Sequence, residues 1–178
     1  RGSSRDKANM RHDDVSWSAD VRGDVLQLRS RTQYTRAGVD LRVDGHDFYD
    51  TDLYVPSGTV RIQDIDGFHS VEAQSVRGTL LGDMDILAHG TVDVSFIPWR
   101  TTRAIVENTS GSVTLAMPYG LDYDLTIRGD EGHEMNVSDL GFDRVDAGPG
   151  FFSGLRGRGD VAIDVFVSGG TVDVLELR

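Results

Sequence analysis

The stretch Gly111–Ile127, GSVTLAMPYGLDYDLTI, constrains this chain more than any other. Val113, Leu115 and Met117 alternate with small or polar residues, and Tyr123, Leu125 and Ile127 do the same. Alternate positions share one face of an extended strand. Pro118 and Gly120 separate the two runs and turn the chain between them. The unit of a glycine, a second residue and an alternating run recurs at Gly58, Gly78, Gly90, Gly111, Gly159 and Gly170, with a weaker first copy at Gly23. The six main copies start 20, 12, 21, 48 and 11 residues apart.

No segment sustains a 3.6-residue apolar period with caps at both ends. The best helical candidate, Ser70–Val76, is only a short run. Many short alternating strands punctuated by Gly and Asp define an all-β fold: a sandwich, a closed barrel or a solenoid. Spacings near 20 suit one coil of a β-solenoid, and 11 or 12 suit one side of a coil. A single-domain β-solenoid is therefore expected, with a β-sandwich as the alternative, because sandwich turn signals also recur at roughly 8–12 residues. At 178 residues the chain fits one domain, expected over 15–178, with 1–14 a flexible segment or a remnant of expression.

The formal net charge of −11 disfavours nucleic acid and anionic lipid as partners. Asp outnumbers Glu, as turns and strand ends favour, and Lys7 is the only lysine among 18 basic residues. A GC-rich genome accounts for such an arginine bias, with a salt-adapted source as the sharper alternative. With no cysteine there is no disulfide framework, thiolate metal site or thiol nucleophile. No run approaches the roughly 20 apolar residues that cross a bilayer as a helix.

Gly111–Gly132, GSVTLAMPYGLDYDLTIRGDEG, resembles the signature of a bacterial adhesin family with toast-rack-like domains, a strand ending in Pro followed by a second alternating strand that closes on Gly. The segment GLRGRGDVAIDVFVSGGTVDVLEL resembles that family's final coils, and GTVRIQDIDGFHSVEAQSVRGTL an earlier one. The likeness runs from about residue 39 to the end and is best from Gly90 onward; the Gly-rich text between Gly132 and Gly159 departs from it. The resemblance implies stacked β-strands in an extracytoplasmic or envelope-attached module. It brings no catalytic residues.

Several clusters carry chemistry in principle. Asp44, Asp47, Asp50 and Asp52 surround Gly45 in an expected turn-rich loop, the oxygen-rich setting that Ca²⁺ requires. Their spacing fits neither an EF-hand nor a calcium-loaded β-roll, so a solvated turn is preferred. Asp83 and Asp85 are a weaker version. The pairs Asp64/Asp66 and Asp122/Asp124 place carboxylates on common faces, as acid–base catalysis needs, but nothing marks one pair as special. His12, His46, His69, His89 and His133 show no zinc spacing, and no GxSxG elbow exists. Gly148-Pro149-Gly150 reads as a turn. RGD tripeptides at Arg22–Asp24, Arg128–Asp130 and Arg158–Asp160 are expected turns into strands. Phe96 and Tyr123 share the apolar parity of their strands, whereas Phe166 faces away from Val161, Ile163, Val165 and Val167. Trp17, Trp99, Phe151 and Phe152 sit beside breaks and are expected to cap the stack.

The expectation is thus a non-enzymatic module outside the cytoplasm, an adhesin or envelope scaffold meeting a protein or cell-surface partner. No catalytic, cofactor-binding or metal residue is assigned, no membrane insertion is expected, and end strands or edges offer a route to a homo-oligomer. A signal peptide or anchor is expected ahead of Arg1. A carbohydrate-active enzyme on a β-helix, or a self-assembling subunit, is the alternative.

Overall fold

The computed structural model describes residues 15–22, 25–32, 41–44, 50–97, 103–131, 133–138 and 140–177. Among these no helix occurs, and the all-β expectation is met. The strands are β1 (Val15–Arg22), β2 (Val25–Thr32), β3 (Leu41–Asp44), β4 (Asp50–Asp66), β5 (His69–Leu81), β6 (Met84–Ala88), β7 (Val92–Ile97) and β8 (Arg103–Asn108). They continue with β9 (Val113–Pro118), β10 (Tyr123–Gly129), β11 (Glu134–Val137), β12 (Arg144–Gly148), β13 (Phe151–Arg156), β14 (Val161–Val167) and β15 (Thr171–Leu177).

All fifteen belong to one curled sheet that the long strands β4 and β5 divide into two columns. The start of β4 pairs with β2, and its later part with β3. Likewise β5 pairs with β6 through His69–Ala73 and with β7 through Val76–Leu81. One column runs β1-β2-β4-β5-β6-β8-β14-β10-β13-β12, the other β3-β4-β5-β7-β9-β15-β11. Pairing is parallel throughout, except β1–β2, β10–β13 and β12–β13. The two runs of Gly111–Ile127 become β9 and β10, which lie in different columns and share no ladder. Ser70–Val76, the helical candidate, is strand within β5. Its Val71/Ala73/Val76 spacing arises because β5 passes from one column to the other around Gln74, where the register jumps from Val55↔Ala73 to Thr59↔Ser75.

Alternation gives each column one buried face. Val60, Val76, Val92, Val113 and Val172 are successive Cα partners in the second column, and all are fully buried. Leu53, Val71, Ile86, Val106, Val165 and Ile127 form the matching row of the first. Both rows belong to one apolar cluster. Parallel strands four or five deep with identical residues in register bring β-branched side chains into contact row upon row, where they pack best.

The recurring glycines mark the corners that lead into the second column. Gly58, Gly90, Gly111 and Gly170 each stand two residues before a valine of the row. Gly111 (φ 83°) and Gly170 (φ 94°) occupy the left-handed region. A Cβ on Gly111 would lie 2.5 Å from the Gly90 carbonyl oxygen, and one on Gly170 only 1.7 Å from that of Gly111. Each corner therefore nests against the backbone of the one beneath. Two copies depart from this use: Gly78 lies inside β5 as the Cα partner of Ile62 and Val94, and Gly159 leads into β14 of the first column.

Strand order leaves chain order at the C-terminal end. Sequential stacking would set β10 and β11 on β8 and β9. Instead β14 lies between β8 and β10, and β15 between β9 and β11. The 48-residue gap between Gly111 and Gly159 contains β9 to β13, and β14 and β15 then return to fill the places between β8 and β10 and between β9 and β11.

Three glycines separate backbone strain from crowding. Gly170→Ala should cost about 3 kcal/mol or more, because both φ and the Gly111 backbone must change. Gly120→Ala, with positive φ but nothing within 4 Å of the new Cβ, should cost about 1 kcal/mol. Gly148→Ala, with neither constraint, should stay within about 0.5 kcal/mol of wild type. Urea unfolding midpoints measure all three.

Candidate functional site

The acidic run is not one loop. Asp44 ends β3, while Asp50 and Asp52 are already within β4, so the expected loop stops earlier than its composition suggested. Asp47 lies outside the described residues. The Asp50 carboxylate accepts the Phe68 N–H at 2.7 Å, and that of Asp52 lies 3.6 Å from the Arg29 guanidinium. Similar work falls to Asp83, which accepts the Arg103 N–H at 2.9 Å, and to Asp122, which accepts the Arg158 N–H at 3.2 Å. In each case a short carboxylate near a corner reaches the backbone N–H of a neighbouring segment, a role that suits Asp better than the longer Glu. Among the described residues no three His, Asp or Glu side chains are arranged to hold a metal ion.

The remaining sequence candidates disperse. Asp124 is exposed on β10, whereas Asp122 is engaged before that strand starts; the side chains of Asp64 and Asp66 lie outside the described set. His69 is buried with its Nδ1 2.9 Å from Thr51 Oγ1, and His89 Nδ1 is 3.0 Å from Thr109 Oγ1. His133 Nδ1 approaches the Asp130 carbonyl at 2.9 Å. His12 and His46 are outside the described residues, as are Gly23 and Asp24 of the first RGD. In the third RGD, Arg158 and Asp160 pair with each other at 2.7 Å. Arg128 of the second lies over the Phe166 ring, 5.7 Å from its centroid. Gly148-Pro149-Gly150 joins β12 to β13 as the expected turn. Trp99 and the side chains of Trp17 and Phe96 are not described.

An aromatic cluster forms around Tyr123, which is fully buried at the start of β10; of the four aromatics expected to cap the stack, Phe152 is the one it includes among the described residues. Its ring meets the edge of Phe142 at 5.7 Å, and Phe142 meets Phe152 at 5.4 Å. Arg156, the Cα partner of Tyr123 on β13, pairs with Glu176 of β15 at 3.3 Å and ties one column to the other. Their side chains are 17% and 19% exposed. The Tyr123 hydroxyl lies beside Arg156 but lacks a partner in hydrogen-bond geometry. Burial pushes its pKa above 10.0, and the neighbouring Arg156 cation opposes that rise.

A groove of about 350 Å³ opens on the outer face of the second column. Arg61 and Arg77, exposed Cα partners on β4 and β5, stand side by side there, and Asp93 of β7 is next in the row. One step further along the strands, Gln63, Thr79 and Ser95 form a parallel row, with Ser95 Oγ donating to Thr79 Oγ1 at 3.2 Å. Neither arginine has an ion-pair or hydrogen-bond partner among the described residues. Directly paired like charges repel. Sequence reasoning missed this pair, although aligning Val60-Arg61, Val76-Arg77 and Val92-Asp93 on the valine row puts the charges at one outward step.

Comparison of the chain with family models, curated proteins and solved structures finds no match.

Two measurements probe this cluster. Arg156→Ala leaves Glu176 half-buried and unpaired, and should cost about 1–3 kcal/mol; adding Glu176→Ala should recover part of that loss in a double-mutant cycle. Because folding raises the Tyr123 pKa, it favours the neutral phenol. That contribution is whole below about pH 10 and lost as pH rises through the folded value. Tyr123→Phe should therefore stay within about 1 kcal/mol of wild type at pH 7 and lose less stability above about pH 10, as read from denaturant midpoints against pH.

Proposed function

We propose that this chain is a β-solenoid module, its two columns forming the walls of a coiled stack, and that it acts without catalysis as an adhesion or scaffold surface outside the cytoplasm. The register supports the coiled reading: the valine row recurs after 16, 16 and 21 residues, at 60, 76, 92 and 113. Parallel pairing at that interval is what a chain returning over itself produces. The compartment and the adhesin assignment rest on the family resemblance alone.

The observation that carries the binding reading is the outer face. Repeats in register present polar groups as straight rows, one strand apart at about 4.8 Å. Arg61, Arg77 and Asp93 form one such row, and Gln63, Thr79 and Ser95 another. A surface of this kind is rigid, because its rows are fixed by backbone pairing and a packed interior. Little ordering cost is then left for a partner to meet.

Self-assembly has its own support at the far end of the first column. The edge strand β12 pairs only with β13 and all five of its residues are exposed, with Val145 57% exposed. An unpaired edge is a template for another strand.

The expected outcome is retention of the purified chain on immobilised bacterial surface polymers or surface proteins, with no release of product from a polysaccharide panel with or without Ca²⁺. Turnover abolished by a single Asp substitution would replace the scaffold reading with the enzyme. Light scattering after gel filtration reports assembly, which Val145→Lys should suppress if β12 mediates it.

A further inference from the structure

We propose that the groove at Arg61 and Arg77 binds an acidic saccharide, a sugar carrying a carboxylate or sulfate group. The two guanidiniums project from directly paired positions on β4 and β5, and both are exposed without a counter-ion among the described residues. Arg61 and Arg77 repel each other across the pair, and Asp93 beyond Arg77 offsets only one of the two charges, so an anion between the arginines is favoured. A tetrahedral or planar oxyanion accepts from two guanidiniums at once, in charge-assisted hydrogen bonds stronger than neutral ones.

The rest of the groove argues for a sugar rather than a bare ion. Gln63, Thr79 and Ser95 line the wall one step from the arginines, presenting amide and hydroxyl groups that both donate and accept. Sugar hydroxyls need both functions. Asp93, at the end of the arginine row, supplies a further acceptor for hydroxyls and opposes a more highly charged phosphate. The volume, about 350 Å³, lies at the small end of ligand pockets. The net charge of −11 gives anions no long-range attraction to this chain. Recognition is then local, and weakens as salt screens the exposed arginines.

This assignment deepens the adhesion reading by naming a ligand class, but it rests on the groove alone and would survive a different compartment. The test is titration of the full chain with a glucuronate-containing disaccharide, with glucose 6-sulfate, with an uncharged glucose disaccharide and with sodium sulfate. Guanidinium NMR signals of Arg61 and Arg77 report the site. At least one charged sugar should shift both signals, and its identity separates carboxylate from sulfate recognition. Arg61→Gln or Arg77→Gln should weaken that binding about tenfold, the scale of one charge-assisted contact. Arg128→Gln, on the outer face of the other column, should leave it unchanged. Unfolding midpoints establish that the variants fold. Equal binding of the uncharged sugar, equal binding of inorganic sulfate, no response to any charged sugar, or undiminished binding by the folded double variant would each overturn the proposal.

Discussion

Register is the constraint on which this molecule depends. In a parallel ladder a slip of one residue would turn every valine of the inner row outward and every charge inward. The slip is opposed at the corners, where backbone nests on backbone. The Gly111 carbonyl occupies the place a side chain on Gly170 would take, and Gly90 stands in the same relation to Gly111. The corner hydrogen bonds agree, with the Asn108 amide donating to the Gly90 carbonyl at 2.8 Å and the Val92 N–H to that of Ser112 at 2.9 Å. A corner that fits only one neighbour in only one position sets the strand that follows it.

The same register determines what the outside presents. Some carboxylates near the corners, such as Asp50 and Asp83, are engaged by backbone donors and so serve the architecture. Mid-strand charges have no such task. They add along the stack, and where arginines align, as at Arg61 and Arg77, the repetition that stabilises the interior concentrates one sign of charge on the surface. The interior tolerates identical neighbours because apolar side chains pack against one another, whereas like charges aligned on the exterior repel.

Strand identity was legible in the sequence where alternation is regular, but β1 and the strands β12 and β13 in the Gly-rich text were not read as strands, although each stays within one column. The parity of Val161, Ile163, Val165 and Val167, with Phe166 on the other face, follows from alternation alone. Where a strand changes column the local pattern misleads: Val71, Ala73 and Val76 look helical because a corner breaks their parity. Pairing partners were not legible at all. Nothing in the composition of Val161–Val167 tells it to join β8 and β10, since any alternating aliphatic strand fits beside any other. The arginine pair was hidden for that reason too, as it exists only once residues 61 and 77 are known to be neighbours.

The return of β14 and β15 between earlier strands gives the C-terminus the position of a keystone. During synthesis from the N-terminus, β10 and β11 emerge before the strands that will link them to β8 and β9 exist. Until β14 and β15 have been made, β8, β9, β10 and β11 each keep an open edge on the side those two strands will fill. Completion of the stack thereby waits on β14 and β15, and a polypeptide cut short before Val161 would carry unsatisfied edges on β8, β9, β10 and β11 into solution.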